Sequence, residues 1–255
     1  NMVLKFLSPE AIMLNEIALK QEAAQMDANG LHHVLTMYQG FIHEFQDLFL
    51  HLRNQIGFYI GCNNLHRALH NLGMETTFPI LARHEQAIDL RNLYELSMAL
   101  TTMKNPVPNT LCDSCRLHII SGANQGGKST FLRSIGIAQV MMQAGMFVPA
   151  SYYESPLYDN ILTHFTRRED CTMNSGRLVE EMKRMDRIIS LITSESLILL
   201  NESFATTTET EGSQIAENII QALYDCGVHI YSVTHLFAFA KKMYSKSLDH
   251  ARFFS

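Results

Sequence analysis

Gly122-Ala123-Asn124-Gln125-Gly126-Gly127-Lys128-Ser129 decides the fold. The glycines, the lysine and the serine stand at the spacing G-x-x-x-x-G-K-S, with a short strand expected before them at Leu117–Ile120 and a helix after them from Thr130 to Gln143. Strand, glycine turn and helix in that order make a phosphate cradle. Glycines let the backbone curl until its N–H groups face phosphate oxygens. The first turn of the helix adds unpaired N–H groups and the positive end of its dipole. Lys128 supplies a point charge for the outer phosphates, and the Ser129 hydroxyl is a hard oxygen ligand for Mg²⁺.

Short apolar runs alternate with helical stretches from there to the end. Asn160–Phe165, Leu197–Leu200 and His229–Val233 read as strands. Leu178–Thr193 and Ser213–Cys226 read as helices, and Gly145 and Gly227 stand just past helix ends. Leu178, Met182, Met185, Ile189 and Ile192 form one apolar face on the first of these helices. Buried strands alternating with helices imply an α/β fold with a mostly parallel sheet. Two strand ends carry chemistry. Ser196–Leu200 runs into Asn201-Glu202, where a carboxylate just past the strand is placed to activate water. His229–Val233 runs into Thr234-His235, a histidine in position to sense the last phosphate.

Upstream the chain reads as helix. Ser8-Pro9-Glu10 is a helix start and Asn29-Gly30 a stop. Beyond it Leu31, Leu35, Tyr38, Ile42, Phe45, Phe49, Leu52 and Ile56 recur at alternating steps of three and four, and the stripe is expected to pack into a core. Phe78-Pro79 and Asn105-Pro106-Val107-Pro108-Asn109 break helix and mark connectors. Net charge is −5, so no global basic field draws in nucleic acid, and DNA contact needs a local patch or another domain. Five cysteines, an odd count without regular spacing, argue against a disulfide framework and suit a reducing compartment. Cys112 and Cys115 form a C-x-x-C with no second pair at zinc-site distance. The apolar runs are too short to span a bilayer and no signal peptide opens the chain, so a cytoplasmic placement away from membranes is expected. A native chain starts with Met; Asn1-Met2 is therefore read as an added residue on a piece of something longer.

Several segments together resemble the MutS family. They are residues 122–150 with Phe147-Val148-Pro149-Ala150 at their end, Ser175-Gly176-Arg177-Leu178 with Glu180-Glu181-Met182, residues 196–212, residues 233–240, and the lead-ins Asp89-Leu90-Arg91 and Val107-Pro108-Asn109. The resemblance implies an ABC-type P-loop ATPase at residues 76–255, preceded by a helical connector or lever at residues 1–75. It implies ATP and Mg²⁺ as cofactors. Gly122, Ala123, Asn124, Gln125, Gly126, Gly127, Lys128, Ser129 and Thr130 would hold the phosphates, with Val107 and Pro108 near the adenine. Glu202 would act on water beside Lys128, and His235 would sense the γ-phosphate. Ser129 would bind Mg²⁺ directly, Asn201 through water, with Glu202 beside them. Ser175 and Gly176 would reach the ATP of a second copy, giving a homodimer with composite sites.

DNA would be held by lever or clamp regions partly outside this chain, which is too short for a mismatch-reading domain, and the family's dimerising tail is not expected within these 255 residues. Asn201 stands where the motif usually has Asp, which removes an anion near the metal. Two alternatives stay open: a slow or non-hydrolysing switch that dimerises on ATP, and another ABC-type ATPase that does not act on DNA.

Overall fold

A computed structural model describes residues 9–83, 87–123, 126–165 and 176–254. In chain order the elements are α1 (Pro9–Asn71), β1 (Ile80–Leu81), β2 (Ile88–Leu93), α2 (Leu96–Thr102), β3 (Asn109–Asp113), β4 (Leu117–Ile120), α3 (Lys128–Gln143) and β5 (Tyr152–Ser155). They continue with β6 (Asn160–Phe165), α4 (Arg177–Ile189), β7 (Ser196–Asn201), α5 (Glu209–Asp225), β8 (His229–Val233), α6 (Phe237–Ser245) and β9 (Ala251–Phe254). The chain divides into two units, Asn1–Asn63 and Asn64–Ser255. Among the described residues no helix is long and apolar enough to cross a membrane.

The described part of the first unit is helical throughout. The expected stop at Asn29-Gly30 is overturned, because α1 runs through it without a break. A glycine inside a helix costs about 1 kcal/mol against alanine, and it ends a helix only where the backbone turns left-handed. Gly30 is not among the positive-φ residues. The apolar stripe from Leu31 to Ile56 is exposed along its length rather than packed in a core.

The second unit holds two sheets. The larger has strand order β6-β7-β8-β4-β9, and every neighbouring pair in it is parallel. Its core is built by Leu117, Ile119, Ile198, Leu200 and Ile230 on the strands with Met185, Ile220 and Phe239 on the helices. Helix α3 approaches β7 closely at Gly136, where a Cβ would stand 2.6 Å from Leu199 Cδ1. The smaller sheet, in the order β1-β5-β2-β3, pairs β2 antiparallel with both β3 and β5. Sequence reading missed this sheet. Helix α4 buries Glu181 and Met185 while Met182 and Ile189 are exposed, so its inner face is turned from the all-apolar one expected.

His229, at the start of β8, is 6% exposed beside Tyr158. Burial, then the charges of Arg116 and His118, push its imidazole down to about 4. The unfolded chain takes up that proton near pH 6.5, whereas the folded chain holds it off until about pH 4. Stability therefore falls as pH drops through that window, by about 3 kcal/mol in all. We expect urea midpoints to decline between about pH 7 and pH 5, and His229→Phe to flatten that decline; equal slopes in both proteins would contradict it.

Candidate functional site

Three neighbouring parallel strands end side by side. Ile120 of β4 pairs with Val233 of β8, and Asn201 of β7 pairs with the same Val233. Glu202 N donates to Val233 O at 2.8 Å and Thr234 N to Ile120 O at 3.0 Å, which carries the alignment past the strand ends. Gly122, Glu202 and His235 each follow within two residues of such an end. Carboxyl ends of parallel strands are where α/β sheets place their ligands.

The glycine loop closes on its own lysine. Gly122 has φ 132° and Gly127 φ 81°, values that suit residues without a Cβ. Gly127 caps α3 with no side-chain hydrogen bond, so the first-turn N–H groups have no side-chain cap from Gly127. Lys128 Nζ donates to Gly122 O at 2.8 Å and to Ala123 O at 2.7 Å. An ammonium has three donors, so one remains while both carbonyls are held. Ser129 Oγ donates to Asn201 Oδ1 at 2.6 Å, joining loop to strand end. His235 Nε2 lies 2.9 Å from Glu202 Oε1, and both side chains are about one-third exposed.

A cleft of about 610 Å³ opens over part of this constellation; Gly122, Ala123, Asn201 and His235 are not among its lining residues. Gly126, Gly127, Lys128, Ser129, Thr130 and Glu202 line one part of it. Met98, Pro106, Val107 and Asn109 line the other, whereas Pro108 is not among its lining residues. Sequence reading missed Met98, Pro106 and Asn109. Met98 arrives on the short helix α2, whose cap Glu95 accepts from Met98 N and lies 3.9 Å from Arg133 Nε of α3. A seven-residue helix with no charged signature gives little signal in sequence. Gly176 caps α4 with an exposed backbone. Asn124, Gln125 and Ser175 lie outside the described residues.

Behind Glu202 the chain makes a tight turn. Glu202 has φ 55° and Phe204 φ 66°, left-handed values that non-glycine residues adopt at a cost. Ser203 Oγ lies 2.7 Å from His164 Nδ1 at the end of β6. Burial, then the Arg184 cation, lowers the His164 imidazole despite the opposing pull of Glu181, and this net lowering favours the neutral ring.

A family model described as MutS domain V matches residues 118–252. That is more than half of the chain, and it takes in the glycine loop, both strand ends and His235. The chain belongs to the MutS family. It is 36% identical over 121 residues to the DNA mismatch repair protein MutS of Fervidobacterium nodosum, covering 47% of this chain and 15% of that one. It is 39% identical over 106 residues to the DNA mismatch repair protein MutS of Petrotoga mobilis, covering 42% and 13%. A longer match, 26% identical over 204 residues, is to the DNA mismatch repair protein MutS of Streptococcus suis and covers 74% of this chain and 24% of that one. The chain thus spans no more than about a quarter of the length of these MutS relatives. Within the MutS match lie Lys128, Ser129, Asn201, Glu202 and His235, while Met98, Pro106 and Val107 precede it.

Proposed function

We propose that this chain is the ATPase module of a MutS-family protein, an ABC-type P-loop enzyme that converts ATP and water to ADP and phosphate. The observation that carries the reading is the meeting of Lys128, Ser129, Asn201, Glu202 and His235 at the ends of three adjacent parallel strands. In this reading the loop N–H groups and the third donor of Lys128 take the β- and γ-phosphates. Met98, Pro106 and Val107 offer an apolar surface to the adenine. Glu202 accepts the proton of the attacking water, and His235, 2.9 Å from it, orients that carboxylate and faces the γ-phosphate.

The donor set fits Mg²⁺. Ser129 Oγ and Asn201 Oδ1 are hard oxygens 2.6 Å apart, and the Glu202 carboxylate lines the same cleft. When bound, the ion neutralises charge on the phosphates. Asn201 keeps the hydrogen bond to Ser129 but brings no negative charge, which favours a second reading in which ATP is held and only slowly turned over. Asn201→Asp separates the two. The variant is expected to raise steady-state phosphate release more at low than at saturating Mg²⁺, because the added charge retains the ion. An equal or lower rate at every Mg²⁺ concentration would show that the site works with Asn as it stands.

Beyond the site, the reading includes a homodimer with composite ATP sites, in which Ser175 and Gly176 reach the partner's nucleotide. It also includes a cytoplasmic setting and DNA held through lever regions partly outside this chain. Support for DNA comes from the relatives, which are DNA mismatch repair proteins.

A further inference from the structure

Glu181 is a charged side chain in a buried place. It sits in the second turn of α4 and is 2% exposed. One carboxylate oxygen accepts from Phe204 N at 2.6 Å and the other from Thr206 Oγ1 at 2.6 Å. Both donors belong to the turn that follows Glu202. Arg184, one helical turn further on, donates to Phe165 O at 3.0 Å at the end of β6. Hydrogen bonds to an ionised acceptor are short and strong, so a buried carboxylate with two of them is a firm tether.

The turn needs one. Glu202 and Phe204 both hold left-handed backbone angles that relax unless their surroundings fix them. On one side Gly212 of α5 comes so near that a Cβ there would stand 2.4 Å from Phe204 O. On the other side Glu181 grips the Phe204 N–H. A return of Glu202 to an ordinary φ would swing its carboxylate away from His235 and out of the cleft. We infer that Glu181 is a positioning residue for the ATPase reaction, holding the Glu202 turn in its strained form so that the carboxylate faces the cleft. The inference rests on the ATPase reading above and adds to it a residue that touches neither nucleotide nor water.

The test compares the wild-type 255-residue chain with Glu181→Ala, Glu181→Gln and Thr206→Val. It measures kcat and KM for ATP hydrolysis and the affinity for a fluorescent ATP analogue. Glu181→Ala is expected to lower kcat on the order of 10²-fold, the scale of a catalytic group displaced by about 1 Å. KM and analogue affinity are expected to stay near wild type, since the phosphate loop is untouched. Glu181→Gln should restore most of kcat, because its carboxamide oxygen still accepts from Phe204 N–H while its NH₂ donates to Thr206. Thr206→Val, which removes one of the two bonds, should lower kcat by a smaller factor, again with affinity unchanged, and it decides the matter if Glu181→Ala does not fold. Wild-type kcat in Glu181→Ala or, failing that, in Thr206→Val overturns the inference, and so does a loss of kcat and affinity in parallel. A wild-type chain that hydrolyses no ATP overturns the ATPase reading itself, and this inference with it.

Discussion

Lys128→Ala is expected to weaken binding of a fluorescent ATP analogue by a large factor. The ammonium is the cation that the loop itself presents, held 2.8 Å from Gly122 O and 2.7 Å from Ala123 O. Removing it leaves the β- and γ-phosphates facing N–H dipoles alone. It also removes the donor that draws those two carbonyls inward, so the cradle loses both a charge and its shape. Truncating one partner of a desolvated charge pair typically costs about 2–5 kcal/mol, or roughly 30- to 4,000-fold in affinity. An analogue titration that gives the same affinity for Lys128→Ala and wild type would remove the loop from the nucleotide site.

Glu202→Gln is expected to keep ATP binding and slow hydrolysis by about 10²–10⁴-fold, or roughly 3–5 kcal/mol of transition-state stabilisation. Gln retains the length of the side chain and can still pair with His235, but it cannot take a proton from water. The variant should therefore accumulate the ATP-bound state. Any dimer that depends on ATP becomes easiest to see in this background, by sedimentation velocity with and without nucleotide. Turnover near the wild-type rate would show that Glu202 is not the base. A dimer that forms equally well without ATP would detach association from the nucleotide.

Much of the larger sheet is legible in the sequence, because buried parallel strands are continuous apolar runs bounded by turn residues. Leu197–Leu200 is of that kind, His229–Val233 keeps Ile230, Tyr231 and Val233 among its five residues, and the polar residues just past both announce a site. The smaller sheet is harder to read. Ile88-Asp89-Leu90-Arg91 does alternate apolar and polar, but the alternation lasts four residues and breaks at Asn92, whose backbone is left-handed, and Ile80–Leu81 is only two residues long. Its pairings also join residues far apart in sequence, Asp89 with Glu154 among them, which no local pattern encodes. Asn29-Gly30 misleads for the opposite reason, being a local stop signal that the backbone of α1 does not use.

The cleft shows the same division. The glycine loop, Asn201, Glu202 and His235 follow from strand ends, whereas Met98 and Pro106 reach the cleft through the packing of a short capped helix and its connector. Glu181 is hidden by a sound rule. Charged residues on an amphipathic helix normally face water. This one is turned inward because the Glu202 turn supplies two donors that compensate its burial.

The most direct measurement of the central claim is steady-state phosphate release from ATP with Mg²⁺ by the wild-type 255-residue chain, run beside Lys128→Ala. The account predicts release that depends on Mg²⁺, saturates with ATP and vanishes in Lys128→Ala. No release above the Lys128→Ala level at any Mg²⁺ concentration would contradict it.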